Sequence, residues 1–434
     1  MAINEAAPAF ELAPPPPAGR GGFDLDDLRS SGLGSKIGRW LGDHPRWIFS
    51  LLRRFSPIAR VPLINLVIVT RFDDVQEVLA REQIFHVPYG QKVKDLNGGP
   101  NFLLGLQHGD EYVLYRKLVM QAFRREDVPD IVTLQAARRS RQLLDRCNGR
   151  IDAVECLLTL VSTLICEDYY GLTIPDPIAF GHWAIAMSTD IFVDATTNNP
   201  RHQRAAEAAA DIMRRLVDHS IARTRNTPGG RDTVLARLIA LQAAGATELT
   251  DDVIRAILIG MITGFVPTNT LAAGRILDTL LRHPDFMAQA QAAALAGDDE
   301  LLRRCLFETL RFRHIHWGLT RICTRDYTVA AGTLRAKTIR AGQYVLASTW
   351  SAMFDGRRVE HPKDFDAARR PADYMLFGHG LHWCVGAYIA QVQITQAFKV
   401  LLVKKGLRRA RGNDGQLQLL GDFPQHLFLE FAAS

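Results

Sequence analysis

Thr250-Asp251-Asp252 opens the stretch that most limits how this chain can fold. Threonine is a sound helix N-cap, and two aspartates suit the positive end of a helix dipole. From Val253 to Val266 the helix that follows is apolar nearly all round, so no face of it can be left to water. The run is too short to cross a membrane. It must therefore be enclosed by other elements of the same chain. With 434 residues, 47% of them hydrophobic, there is material for one large core around it. Pro267 lies within the same helix. A mid-helix proline removes one backbone hydrogen bond and presses on the carbonyl four residues earlier, here that of Thr263.

The surrounding segments read as mainly helical with a small β portion (α+β). Leu66 to Thr70 predicts a strand, and Asp73 to Leu79 a helix entered through an aspartate cap. Pro88 to Pro100 is rich in Gly, Asn and Pro and predicts a loop over a pocket, without regular structure. From about Asp110 to Leu310 the pattern is mainly helical. Within it Arg204 to Arg223 is amphipathic, and a break follows at Asn226-Thr227-Pro228-Gly229-Gly230. Hairpins are expected between Tyr327 and Leu346, then an irregular meander to Leu376, a helix from about Ala387 and a terminal β stretch. Length alone suggests two or three domains, yet no interior stretch looks like a linker. The expectation is one domain over residues 40–434, after a Pro/Gly-rich, partly mobile lead-in over 1–39.

Chemistry concentrates in Phe377-Gly378-His379-Gly380-Leu381-His382-Trp383-Cys384-Val385-Gly386. A cysteine between a glycine-rich stretch and a helix start meets free backbone N–H groups and the positive dipole end, which favour thiolate. Glycines let the backbone approach a flat ligand. The pattern Phe-x-x-Gly-x-x-x-Cys-x-Gly resembles the haem-binding loop of cytochromes P450 at all four defining positions. That resemblance implies a single haem-binding P450 fold, and haem b with the Cys384 thiolate as axial iron ligand. Phe377, Gly378 and Gly386 belong to the same cofactor loop.

Further residues fall where the family places its haem supports. Glu308-Thr309-Leu310-Arg311 puts a carboxylate and a guanidinium on one helix face. Lying 76 residues before Cys384, it resembles the Glu-x-x-Arg pair that pins the meander beneath the haem. The basic third member expected just before a Phe is replaced by Asp364, leaving Lys363 or a nearby arginine to substitute. Arg116, Arg321 and His382 match family positions that hold the haem propionates. Tyr112 stands where many bacterial relatives have a histidine.

The long apolar helix fits the family's helix I, which passes over the distal face of the haem. There Ala/Gly-Gly-x-Asp/Glu-Thr is usual, with the acid and alcohol holding water and moving protons. Counting back 16 residues from Pro284 aligns Gly264-Phe265-Val266-Pro267-Thr268-Asn269 with that motif. Thr268 keeps the alcohol, Pro267 replaces the acid and Phe265 replaces the second glycine. With an indel of one, Pro267 takes the alcohol position instead. In either register the acid is missing. Proton delivery is then left to Thr268, Asn269 and water, with the proline producing the distal groove. Gly264, Phe265, Val266, the Ile257–Met261 turn and the 88–106 loop are expected to shape the substrate pocket.

The chain carries no Gly-x-Gly-x-x-Gly after a strand and no flavin or iron–sulfur spacing, so a P450-like monooxygenase of this kind would take electrons from a separate ferredoxin or flavodoxin and its reductase. Arg116, Lys117, Arg124 and Arg125 are either a docking face for such a partner or a solvated basic surface. A net charge of +6 is too small and dispersed to suggest nucleic acid. Six cysteines without CxxC pairs, no signal-peptide pattern and no membrane span suggest a cytoplasmic protein of bacterial type. Monooxygenation of an apolar small molecule is the leading expectation. The missing acid keeps open a peroxygenase or fatty-acid hydroperoxide isomerase, which needs no redox partner. A non-catalytic haem-based ligand sensor is the third alternative.

Overall fold

A computed structural model of the protein describes residues 23–29, 45–62, 64–227 and 229–432. It is 55% helix and 10% strand. The apolar helix spans Asp251–Leu280, with the Thr250 hydroxyl accepting from the Val253 N–H at its start. By length and hydropathy it is long enough to cross a membrane, more than the sequence reading allowed. However, 89% of its most apolar window is buried by the rest of the protein, so it is the core helix. It packs against Pro177–Ser188, Pro200–Arg225 and Asp299–Phe312. The amphipathic segment is the helix Pro200–Arg225, whose buried side chains (Ala205, Ala209, Met213, Leu216, Ser220) repeat every three or four residues. Arg225 closes it, and Asn226 caps it.

A five-stranded sheet stands to one side. Its order is Ile58–Val61, Leu66–Val69, Tyr344–Ala347, Leu319–Cys323 and Phe85–His86. Only Leu66–Val69 against Tyr344–Ala347 is parallel; the other pairs are antiparallel. The expected hairpin forms between Tyr327–Val329 and Lys337–Ile339. The chain end pairs Phe428–Glu430 with both Arg150–Asp152 and Arg408–Arg409, which ties the last strand into the same body.

Two local expectations are corrected. Residues 88–100 are not irregular: Gly90–Asn97 is a helix that buries Val93 and Leu96. Its glycines act as end signals rather than breakers, with Gly98 at φ 78° forming the left-handed C-terminal turn. Lys92 then anchors it to Asp190 at 3.0 Å. The helix at 72–80 has no aspartate cap. Arg71 occupies the cap position without a side-chain bond, and the Phe72 N–H donates to Asp355 Oδ2 at 3.2 Å. Asp73 and Asp74 lie in the first turn, and buried Asp74 pairs with Arg335. Of the lead-in, Pro14 to Gly22 lies outside the described residues. Within the described residues 23–29, Leu25–Leu28 form a short 3-10 turn that buries Leu28 and pairs Asp27 with Arg201.

Candidate active site

Cys384 is placed by a tightly closed loop. Its N–H donates to the Phe377 carbonyl at 3.0 Å, and Gly378 and Gly380 hold φ of 80° and 76°. A Cβ on Gly380 would come within 2.5 Å of the Leu79 carbonyl oxygen, so the loop is pressed against the helix Phe72–Ala80. Gly386 then starts the helix Ala387–Leu402. The cysteine lies deep in the protein, yet its surface is open because the sulfur faces a cavity. Burial pushes its thiol up, and the Gly386 N–H only partly offsets this. The expectation that the helix terminus alone favours thiolate is therefore corrected. Desolvation wins until a cation faces the sulfur.

Beneath that loop lies a fully buried ionic cluster. Arg311 meets Glu308 through Nη2–Oε1 at 2.7 Å and Nε–Oε2 at 3.0 Å, with both side chains wholly inaccessible. The third member is Arg369, whose Nε lies 3.2 Å from Glu308 Oε1. Lys363 and Asp364 are exposed, and Asp364 contributes only its carbonyl, which accepts from both Arg311 and Arg369 at 3.0 Å. Tyr374 donates its hydroxyl to Glu308 Oε2 at 2.7 Å. The meander from 360 to 374 is thereby fastened under the cysteine loop.

One side of the cavity gathers polar groups. Arg321 is buried, donates Nη1 to Thr320 O at 2.9 Å, and its Nε has no partner. Tyr89 stands close enough for Arg321 to counter part of the rise that burial gives its hydroxyl. Tyr112 donates to the Leu381 carbonyl at 2.8 Å and accepts from Arg116 Nη1 at 3.1 Å. The Tyr112 ring stands edge-on to His382 at 5.3 Å, and both line the cavity. Arg116 itself stands behind Tyr112, outside the lining. Burial, then Arg321 and Arg116, lowers His382 to about 3, so its ring is neutral.

The long helix forms the facing wall. Met261, Gly264, Phe265, Thr268 and Asn269 line it, and Gly264 presents open space where a side chain would stand. Val266 and Pro267 are buried but do not line the cavity, nor do Ile257, Leu258 and Ile259. A helix face returns every three or four residues, which selects 261, 264, 265 and 268 and turns 266 and 267 away. The helix also stays continuous across Pro267. Thr268 donates its hydroxyl to the Gly264 carbonyl, and Asn269 Nδ2 donates to the Phe265 carbonyl at 2.8 Å. No Asp or Glu is present among the described lining residues. The cavity together with its open mouth holds ≈ 1730 Å³ of atom-free space.

The sequence profile of the cytochrome P450 family matches residues 40–404. This chain belongs to the cytochrome P450 family. It is similar to the cyclomarin C epoxidase CymV of Salinispora arenicola, with 27% identity over 368 residues, covering 83% of this chain and 87% of that protein. It is also similar to the erythromycin C-12 hydroxylase of Saccharopolyspora erythraea, at 26% identity over 81% of this chain and 84% of that one. Among solved structures, ligand-free cytochrome P450 TbtJ1 shares the fold with a TM-score of 0.75 and 22% identity, covering 90% and 98% of the two chains. The P450 heme domain of Tepidiphilus thermophilus gives 0.76 and 20%, covering 95% and 97%.

As a P450 the protein is an oxidoreductase of the monooxygenase type that binds haem with a cysteine thiolate as axial ligand. Its residues fit that group. Cys384 opens onto a cavity large enough for a flat macrocycle, Arg321 Nε is a buried donor without an acceptor, and Gly264 leaves the opposite wall low. Sequence reasoning did not find Glu82, His314 or His316, and it covered Tyr89 only within the 88–106 loop. Buried Glu82 accepts from the His382 N–H at 3.2 Å, while Tyr89 and both histidines line the cavity. His314 and His316 stand in the ten residues between Arg311 and Arg321, and that nearness was the signal available for them.

Proposed function

We propose that this P450 inserts oxygen from O₂ into an apolar small molecule, using electrons from a separate ferredoxin or flavodoxin and its reductase in the cytoplasm. The observation that carries the reading is Cys384 opening onto a cavity that Gly264, Phe265 and Thr268 of the long helix also line and whose other walls are mostly apolar. Haem held there supplies the oxygen-activating chemistry, with thiolate ligation favouring O–O cleavage. Arg321 and His382 offer N–H groups to the propionates, while Tyr112 and Arg116 brace that side. Phe102, Phe265 and Tyr170 exclude water from the substrate space. Thr268 Oγ1 is bonded to its own helix, so a proton moves through it only when a water enters on its cavity side. Residues 40–434 act as one haem domain, and residues 1–39 as its lead-in.

The absence of Asp and Glu from the described lining favours a second reading, in which peroxide is the oxidant and no redox partner is needed. A peroxide arrives with its O–O bond already reduced and makes less demand on a proton relay. The two readings separate by turnover. Product from O₂, NAD(P)H and a surrogate ferredoxin system supports the first. Product from peroxide without NAD(P)H supports the second, and product from neither removes both. A non-catalytic sensor draws no support from relatives named as an epoxidase and hydroxylases.

A further inference from the structure

His316 is a polar group of the cavity that the protein itself leaves unanswered. Its ring stands 6.4 Å from Phe192, which is edge-on to Tyr89 at 5.4 Å, so its neighbours are aromatic. The residue lies deep in the protein, yet part of its surface is open to the cavity. Among the described residues, none hydrogen-bonds either ring nitrogen. Burial, with Arg275 close by, lowers the imidazole to about 4. At neutral pH it therefore offers one donor and one acceptor and no charge.

The backbone beneath the ring is fixed. The His316 N–H donates to His314 Nδ1 at 3.2 Å, and Arg275 from the long helix donates to the His314 carbonyl. The segment that carries the ring is therefore anchored, and Phe192 packs beside the ring itself. Charge around it is restricted as well. The described lining contains no Asp, Glu or Lys, and Arg321 is its sole guanidinium. An ammonium entering next to His316 would find no carboxylate among the described lining residues to meet it.

We propose that His316 is a specificity-determining residue of this cavity, hydrogen-bonding a single neutral oxygen function (ketone, ester, ether or hydroxyl) on an otherwise apolar substrate. This rests on the reading of the cavity as an apolar substrate site. A site built to hydrogen-bond an oxygen rejects the analogue that lacks it, because the buried polar group is then left unpaired.

The test uses ferric holoprotein and three probes of similar carbon number: cyclododecanone, cyclododecane and dodecanoate. Dissociation constants come from the Soret shift and from equilibrium dialysis, for the wild type, His316→Phe and His316→Gln. The wild type is expected to bind the ketone about tenfold tighter than the hydrocarbon, the ratio one buried hydrogen bond supports. His316→Phe should bring the ketone down to the hydrocarbon's affinity without changing the latter. His316→Gln should keep most of the difference. Equal weakening of ketone and hydrocarbon in His316→Phe would make the ring a packing residue and overturn the proposal. So would equal wild-type affinity for the two, or tightest wild-type binding of dodecanoate. If the wild type binds none of the three, the apolar-cavity reading itself fails and the proposal falls with it.

Discussion

Replacing Arg369 with alanine tests whether the meander is fastened by this arginine or by the position the family pattern suggests. The side chain is 3% exposed and faces Glu308, which is wholly inaccessible. It donates to Glu308 Oε1 and to the carbonyls of Glu360 (2.8 Å), His361 (3.2 Å) and Asp364 (3.0 Å). Removing it leaves a buried carboxylate with one cation fewer and three carbonyls short of a donor. Breaking a buried pair in this way costs about 3–5 kcal/mol. Unfolding entropy near 2.1 cal/mol/K per residue makes that a fall of about 3–6 °C in the apparent melting temperature of a chain this size. Lys363→Ala is the control: Lys363 is exposed, and its change should stay within about 0.5 kcal/mol. Far-UV circular dichroism melts read the fold, and the Soret band read in parallel reports haem retention. A melting temperature unchanged in Arg369→Ala, or lowered by Lys363→Ala instead, would refute the assignment of the third member.

Four further outcomes are expected. Cys384→Ala should abolish the carbon monoxide-bound ferrous band at ~450 nm that thiolate ligation produces, as read by difference spectra. Gly380→Ala should lower haem content on purification, because φ of 76° and the Leu79 carbonyl at 2.5 Å leave no place for a methyl group. Thr268→Ala should lower product formed per NAD(P)H by about tenfold or more and raise peroxide release, if Thr268 Oγ1 carries the proton. Stability should fall in acid through His314, which burial holds at about 3 against an unfolded value of about 6.5. A depressed histidine contributes fully above the unfolded value, and that contribution is lost as pH drops from about 6.5 towards 3. Denaturant titrations at pH 6.5, 5.5 and 4.5 should therefore show a pH slope shallower by about 1.4 kcal/mol per unit in His314→Leu.

The proximal half of this site was legible because backbone geometry dictates it locally. A loop that places a sulfur at a helix start needs glycine at left-handed positions, and Gly378 and Gly380 stand at those positions. Glu308 and Arg311 could share a helix face by spacing, and the resemblance to the family's Glu-x-x-Arg placed them as a pair. Their third partner could not, because Arg369 reaches Glu308 from 61 residues further on, beyond four strands and from a meander whose path no periodicity encodes. The same distinction explains the helix at 90–97. Its Gly, Asn and Pro suggest a loop when counted, but two of the glycines sit at its ends, and the Val93 and Leu96 pair inside is too short to outweigh composition.

The distal half failed in a more informative way. An apolar helix was readable, and so was the missing acid, yet Pro267 was taken to shape the cavity. In the structure it faces the core, and the lining falls to 261, 264, 265 and 268 on the other face. The proline therefore removes the usual carboxylate without presenting anything in its place. The polar groups near the substrate space come instead from Asn269 on the long helix, His314 and His316 on the segment that leads from the Glu308 helix into the strand at 319, and Thr320 in that strand. On the proposed reading the neutral imidazole of His316 would serve the substrate, and control of the reaction would shift from proton supply towards substrate placement. A P450 built this way should show its largest mutational effects on binding constants at His316 and on coupling to product at Thr268. If both residues instead moved the same quantity, the two walls would not have separate roles.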